Sequence, residues 1–267
     1  MPHVWLNIKR FMRKRPRIGM TMRLDLENRR FYLGRNYCEA LEHYGALPVH
    51  LGLIAKRDYI AAILDELDGI LLPGSDTDVD PHYYSEEPHP KLKTVIPEKD
   101  ETDFLVLEEA AKRNLPILAI CYGMQSLNVF RGGSLIQDIE AQAANSLKHE
   151  QGRPLARNSH HIVIESGTLL NRITRDDNVQ KADGENAKNV FVKVNSHHHQ
   201  AVRICGENLR ISSRAVDGIV ESIEDTDEDK FVLGVQWHPE LSYETDDLSS
   251  KIFKNFVQFC SARGDKK

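Results

Sequence analysis

The chain has 267 residues, of which 40% are hydrophobic and 28% are charged, as in an ordinary soluble globular protein. Its 35 basic and 40 acidic residues leave a net charge of −5, which gives no support for nucleic acid or an anionic membrane as a partner. The four cysteines form no CxxC pair, so we expect reduced thiols in a cytoplasmic protein.

The first residues are basic, and no acid precedes Asp25. Their apolar stretch is too short for the core of a signal peptide or for a membrane span. We therefore predict that residues 1–16 form a solvated basic arm outside the core, and that residues 17–263 form a single domain. Electrostatic contact between this arm and a partner is the alternative.

Strands and helices alternate in the first half of the chain. Short apolar runs predict strands at 17–22, 47–51, 69–72 and 117–120, and helical spacing predicts helices at 31–44, 59–67 and 100–113. This alternation implies a parallel sheet that is covered on both faces, with ligands bound beyond the carboxyl ends of its strands. The long polar loop from 76 to about 97 belongs to a class of loops that is usually functional or disordered.

The second half contains shorter strands and fewer helices. Strands are predicted at 134–138, 160–165, 190–194, 209–213, 218–223 and 231–236, and an amphipathic helix at 252–260 closes the chain. Residues 141–158 are predicted as loop. We interpret the acidic run 224–229 as the solvated tip of a hairpin.

Cys121 follows the apolar run 117–120 directly, and a helix follows Cys121. A strand that turns sharply into a helix at one reactive side chain is a nucleophile elbow, with Gly123 leaving room for the helix to close on the strand. The free N–H groups of the helix N-terminus favour a thiolate and offer donors to a developing oxyanion. The alternative is a buried core cysteine, which Gly123, the polar Gln125 and a downstream His-Pro-Glu disfavour.

The downstream motif is GVQWHPE at 234–240. Pro239 favours an extended conformation at His238, and alternate residues of an extended chain face the same side. Glu240 can then fix the imidazole tautomer while His238 takes the proton of Cys121.

Together, AICYGMQ (119–125) and QWHPE (236–240) resemble the class I glutamine amidotransferase-like superfamily. Within it, LPGS (72–75), DPHYY (80–84) and VNSHHHQ (194–200) resemble the γ-glutamyl-γ-aminobutyrate hydrolase family. The match runs from about Arg17 to the closing helix. It implies an α/β fold: a flavodoxin-like three-layer αβα sandwich with a mostly parallel central sheet and extra antiparallel strands in the second half.

The resemblance also implies roles for individual residues. These are a catalytic triad of Cys121, His238 and Glu240, an oxyanion hole made by the backbone N–H groups of Gly74 and Tyr122, and substrate binding by Gln125, Ser196 and His198. Ser75 departs from the family pattern, since many members have a second glycine there. The backbone donor is retained all the same.

The histidine run 197–199 is open to more than one interpretation. In an extended chain His198 points away from His197 and His199, which we expect to be structural. A zinc site needs about four placed ligands, and no spacing to His160, His161 or Cys205 supports one, so we expect neither a metal nor an organic cofactor. Tyr83 and Tyr84 either line the leaving-group pocket or pack the loop.

The leading hypothesis is a hydrolase of γ-glutamyl amide bonds, such as γ-glutamyl-γ-aminobutyrate, that works through a thioester. One alternative is a glutaminase subunit that supplies ammonia to a separate synthase. Another is a non-catalytic binding protein on the same fold, which the intact Cys-His-Glu set disfavours. The expected partner is a small γ-glutamyl substrate. The sequence does not decide whether the protein forms a homodimer, and a synthase partner is expected only under the first alternative.

Overall fold

The computed structural model describes residues 15–175 and 189–264. Its strands are β1 (Arg17–Thr21), β2 (Arg23–Asp25), β3 (Arg30–Tyr32), β4 (Leu47–Leu51), β5 (Gly69–Leu72), β6 (Ile117–Ile120), β7 (Ser134–Ile136), β8 (His160–Ile164), β9 (Val190–Val194), β10 (Ala201–Ile204), β11 (Leu209–Ala215), β12 (Val220–Asp225) and β13 (Val232–Val235). Its α-helices are α1 (Arg35–His43), α2 (Arg57–Leu64), α3 (Pro97–Lys112), α4 (Tyr122–Phe130), α5 (Ile139–Gln142), α6 (Leu169–Thr174) and α7 (Asp247–Gly264).

Nine strands form the central sheet in the order β4-β1-β5-β6-β13-β12-β11-β8-β9. The pairs from β4 to β13 are parallel, and those from β13 to β9 are antiparallel. The parallel strands come from the alternating first half plus β13, and the antiparallel ones from the strand-rich second half. The fold prediction, an α/β sandwich with antiparallel strands added in the second half, is confirmed.

Two hydrophobic cores lie on opposite faces of this sheet. Leu118 and Ile120 face a core that contains side chains of α1, α6 and α7. Ile117 and Ala119 of the same strand face the core that α2, α3 and α4 cover. This alternation follows from the pleat of a strand, and it explains why β6 is apolar throughout: both of its faces are buried.

Some elements differ from their predicted bounds. Phe31 and Tyr32 belong to β3, in a hairpin with β2, so the helix predicted from residue 31 begins only at Arg35. Two short helices, α5 and α6, and the strand β10 were not predicted. Exposed positions are frequent in β3 and β10, and such positions carry little apolar periodicity for a sequence pattern to detect.

The interpretation of the acidic run as a solvated tip is wrong for its first two residues. Glu224 and Asp225 are buried at the end of β12. The Glu224 carboxylate accepts hydrogen bonds from the backbone N–H groups of Leu169 and Leu170 at the start of α6, and from Arg210. A buried carboxylate is tolerated there because a helix N-terminus and a guanidinium compensate its charge.

Most of the predicted basic arm lies outside the described residues. Its last two residues contact the fold: Arg15 donates to the carbonyl oxygen of Ala46 at 2.7 Å, and the Pro16 carbonyl accepts from the N–H of Leu47. Among the residues that the structure describes, no helix combines the length and the apolar character that a membrane span requires.

Candidate active site

Cys121 occupies the turn between β6 and α4. Its backbone angles, φ 53° and ψ −109°, lie where non-glycine residues are rare, and such a conformation costs about 1–3 kcal/mol. The Cys121 N–H is anchored to the Val235 carbonyl at 2.7 Å. A Cβ on Gly123 would lie 2.3 Å from the Leu72 carbonyl oxygen, so only glycine fits at this position. The elbow geometry that the sequence predicts is present.

His238 reaches Cys121 because β13, which ends at Val235, is the parallel neighbour of β6. A Cβ on Gly74 would lie 2.8 Å from Cε1 of His238 and 3.4 Å from Cβ of Cys121, so the imidazole and the side chain of Cys121 lie close together. On the other side, Nδ1 of His238 lies 2.6 Å from Oε1 of Glu240. The sequence suggested an extended chain after His238, but the chain enters a 3₁₀ turn at Pro239 that still directs Glu240 back to the imidazole. The three residues predicted as a triad therefore lie next to one another.

Burial of His238 acts to lower its pKa, but Glu240 and Cys121 outweigh burial and hold the pKa well above the ordinary value of 6.5. The cause is charge: a carboxylate and a sulfur both favour the imidazolium form. A cationic His238 beside Cys121 is the pairing that activates a cysteine nucleophile.

Asn195 holds the backbone of His238 from both sides. Its Nδ2 donates to the His238 carbonyl at 2.8 Å, and its Oδ1 accepts from the His238 N–H at 2.9 Å. Asn195 is only 1% exposed, so these bonds are shielded from water. Sequence analysis did not single out Asn195, although it lies in the VNSHHHQ motif.

Gly74, one of the two predicted oxyanion donors, is already hydrogen bonded. Its N–H donates to the Tyr37 hydroxyl at 3.0 Å, and its carbonyl accepts from Nε of Arg23 at 2.8 Å. Because burial and the nearby charge of Glu240 raise the pKa of Tyr37 well above its usual value, this hydroxyl keeps its proton. Tyr37 thus lies between the loop after β5 and the carboxylate of Glu240.

Ser75 is better placed than Gly74 to act as a donor in this conformation. It lines the cleft beside Cys121 and Tyr122, and its N–H makes no hydrogen bond to any described residue. The N–H of Tyr122, at the first position of α4, is likewise without an acceptor in the described part of the chain. Both residues line the cleft together with Cys121, so these two N–H groups are the candidates for an oxyanion hole.

The predicted substrate-binding residues separate into two groups. Gln125 lines the cleft, where its Nε2 donates to Gln236 at 3.2 Å. In contrast, the Ser196 hydroxyl donates to the His149 carbonyl at 2.6 Å, and the His198 imidazole is buried against Glu221. Both side chains are buried, and of the two residues only His198 belongs to the cleft lining. Their contact with substrate stays a prediction.

Residues 197–199 do alternate, but with faces opposite to the expected ones. His197 and His199 reach the cleft, and the His197 carbonyl lies 4.0 Å from the Cys121 sulfur. His199 is held by Asp78 at 2.8 Å and by Asp138 at 3.5 Å. The His198 imidazole lies instead below the loop, with Nε2 3.5 Å from Oε1 of Glu221 in β12.

The cleft itself is polar and carries both signs of charge. Its lining consists of Ser75, Asp76, Thr77, Asp78, Lys93, Cys121, Tyr122, Gln125, Glu150, His197, His198, His199 and Gln200. Tyr83 and Tyr84 are not part of this lining: Tyr83 packs edge-on against Phe104 with ring centroids 4.7 Å apart. Of the two interpretations of the tyrosine pair, loop packing fits this arrangement.

Comparison with known proteins identifies the family of this chain. The profile of the Peptidase C26 family matches residues 18–240. Protein NtpR of Enterococcus hirae is 35% identical over 229 residues, covering 85% of this chain and 89% of that protein. The gamma-glutamyl-gamma-aminobutyrate hydrolase PuuD of Escherichia coli K12 is 33% identical over 237 residues, covering 85% of this chain and 86% of that protein.

The solved structure of a Thermoplasma acidophilum protein, assigned to GMP synthase, superposes on this chain with a TM-score of 0.60. The match covers 96% of this chain and 98% of that protein at 16% identity, a likeness of fold alone. The family profile extends from β1 to Glu240 and so includes both the elbow and the histidine. The chain therefore belongs to the Peptidase C26 family, as a glutamine amidotransferase-like protein whose family acts on amide bonds.

Proposed function

We propose that this protein is a cysteine-dependent hydrolase of γ-glutamyl amide bonds, with γ-glutamyl-γ-aminobutyrate or a related γ-glutamyl amine as substrate. The observation that carries the proposal is that His238, bonded to Glu240, lies close to Cys121, which lines a polar cleft. The 33% identity to the E. coli hydrolase supports the substrate class.

In the first step the Cys121 sulfur attacks the γ-carbonyl carbon, and a C–S bond forms as the C–N bond breaks. The oxyanion is stabilised by the N–H of Tyr122 and by an N–H of the loop 74–75. His238 gives its proton to the leaving amine, so the amine departs neutral. Water then attacks the thioester while His238 takes a proton from it, the C–S bond breaks, and glutamate is released.

The charges of the cleft suit the glutamyl head group. Asp76 and Glu150, which are exposed at the mouth, can receive the α-ammonium. Lys93, also exposed in this lining, can receive the α-carboxylate. A neutral acyl group would gain nothing from this pairing. The proposal therefore expects strong discrimination against amides that lack the head-group charges.

The test is the release of amine by the purified chain alone from a panel of γ-glutamyl amides, glutamine and the matching α-glutamyl isomers. The expected result is a kcat/KM for γ-glutamyl amines well above that for glutamine, with α-glutamyl isomers inert. The Cys121→Ser protein is the control for contaminating hydrolases. Turnover restricted to glutamine, and only with a second protein added, would favour the ammonia-supplying alternative and overturn the proposal.

A further inference from the structure

Below the loop 195–200, a second cluster of reactive side chains lies outside the catalytic triad. Around the carboxylate of Glu221 are the imidazoles of His149, His160 and His198, and all four residues are at most 7% exposed. From Oε1 of Glu221 the distances are 3.2 Å to Nδ1 of His149, 3.0 Å to Nε2 of His160 and 3.5 Å to Nε2 of His198. Such convergence of imidazole and carboxylate groups is the donor set of a transition-metal site.

The outer hydrogen bonds of two imidazoles determine which ring atom faces inward. Nδ1 of His198 lies 2.9 Å from the Gln200 carbonyl, which can only accept, so Nδ1 carries a proton. Nε2 of His149 lies 2.9 Å from the carboxylate of Asp217, so Nε2 carries a proton there. When these two imidazoles are neutral, Nδ1 of His149 and Nε2 of His198 carry no proton, and the lone pairs of both atoms face Glu221.

Those inward atoms have no hydrogen-bond partner. Nδ1 of His149, Nε2 of His198 and Oε2 of Glu221 are buried and unpaired among the described residues. A buried polar atom without a partner costs about 1–3 kcal/mol. A cation between them would supply a partner to each of these atoms.

The spacing also agrees with a small cation. Ligand atoms of His149, His160 and Glu221 all lie within 4.8 Å of one another, and tetrahedral zinc holds its ligand atoms about 3.3 Å apart. The outer bonds to Asp217 and Gln200 are the carboxylate and carbonyl contacts that usually orient metal-bound imidazoles. A divalent ion would also balance the negative charges of Glu221 and Asp217, whose side chains are 0% and 4% exposed.

We propose that Glu221, His149, His160 and His198 bind a divalent transition-metal ion of the zinc class. The ion would join three separate segments and touch no reacting atom. Its role would be positional, because His198 belongs to the loop that contains Asn195, the clamp of His238, and His197, whose carbonyl borders the Cys121 sulfur. This proposal does not depend on the proposed hydrolase activity.

The test is metal binding by the full chain in a Cys121→Ser background, so that the catalytic thiol cannot take the ion. The chain is freed of metal with a chelator and titrated with cobalt(II), then with zinc. We expect one equivalent of cobalt to give the visible absorption of a tetrahedral nitrogen–oxygen site, zinc to displace it, and bound zinc to raise the melting temperature.

Matched variants locate the ion. His160→Ala and His161→Ala change neighbouring residues of β8, of which only His160 faces Glu221. His160→Ala should remove the cobalt spectrum, His161→Ala should keep it, and Asp217→Asn should weaken binding about 10- to 100-fold. The proposal is overturned if the parent chain and His161→Ala, both folded, show neither the cobalt spectrum nor stabilisation by zinc. It is also overturned if His160→Ala binds cobalt as the parent chain does. The first outcome is measured without His160→Ala, so misfolding of that variant does not prevent the test.

Discussion

At the scale of single residues, the site depends on how one imidazole is held. Its ring is held by Glu240 and its backbone by Asn195, and it lies close to Cys121. The charge of Glu240 also acts on the nearby Tyr37 hydroxyl, which accepts a hydrogen bond from the Gly74 N–H. Loss of any one of these contacts should therefore change the position or the protonation of His238 while the fold is retained.

Glu240→Gln should shift the pH dependence of hydrolysis. Burial of His238 lowers its pKa, but Glu240 and Cys121 raise it well above the ordinary 6.5, so the imidazolium persists through neutral pH and is lost only as pH rises through the raised value. Removing the Glu240 charge lowers this pKa. The alkaline limb of kcat/KM against pH should move to lower pH, while an unchanged limb would contradict the assignment of His238 as the acid.

Asn195→Ala should lower kcat about 10-fold or more, with little change in KM, because His238 loses both backbone bonds to the side chain. The free energy of unfolding should fall by about 1–3 kcal/mol, since buried groups lose their partners. Steady-state kinetics and urea unfolding measure the two effects. The control is Asn158→Ala, which changes a half-buried asparagine bonded to Asp246, and equal losses of kcat in both variants would rule out the clamp.

At the scale of elements, the elbow depends on a strand and a helix that lie too close together for a side chain between them. Gly123→Ala should destabilise the fold by more than about 2 kcal/mol, because its Cβ would meet the Leu72 backbone, which cannot rotate away as a side chain can. Gly34→Ala is the matched control, since its Cβ would find its first neighbour at 3.8 Å. Urea denaturation measures the stability of both variants. Equal midpoints would contradict the prediction, because they would show that the strand and the helix of the elbow can move apart without loss of stability.

The sequence predicts the strands of the central sheet well and the short peripheral elements poorly. Strand β6 is recognisable because both of its faces are apolar, whereas β3 is exposed throughout and the four residues of β10 are too few to show a period. Glu224 looks like part of a solvated run because its compensating partners, the start of α6 and Arg210, are distant in sequence.

In the candidate site too, some residues are marked by a local sequence pattern and others are not. The elbow and the His-Pro-Glu motif are local patterns, so Cys121, His238 and Glu240 can be found by inspection. Arg23 and Tyr37 reach the site from the first hairpin and α1, with no local signal to mark them. The inward face of His198 depends on Glu221 across the sheet, which no residue spacing reveals.

At the scale of the whole molecule, the two halves of the sheet have different tasks. The parallel half supplies the elbow, the loop 74–75 and, through β13, the imidazole of His238. The antiparallel half supplies the buried Glu221 cluster and the edge strand β9, which leads into the Asn195 clamp. The site therefore forms only when both halves are folded together.

The basic arm should be dispensable for this arrangement. Deleting residues 1–14 keeps Arg15, whose guanidinium contacts the carbonyl of Ala46, and Pro16, whose carbonyl pairs with β4. Both kcat/KM and the melting temperature should stay within experimental error of the full chain. A further deletion through Pro16 should lower the melting temperature, and a large loss of activity on the first deletion alone would place the arm within the working fold.

The central claim, that Cys121 forms a covalent thioester with the γ-glutamyl group, is tested most directly by trapping the acyl-enzyme. The protein is mixed with excess γ-glutamyl amide, quenched in acid within the first turnover and analysed by intact-mass and peptide mass spectrometry. The account predicts one added glutamyl group on the peptide that contains Cys121, and none on the Cys121→Ser protein. Product release with Cys121 unmodified at every quench time, or the glutamyl group found on another side chain, would contradict it.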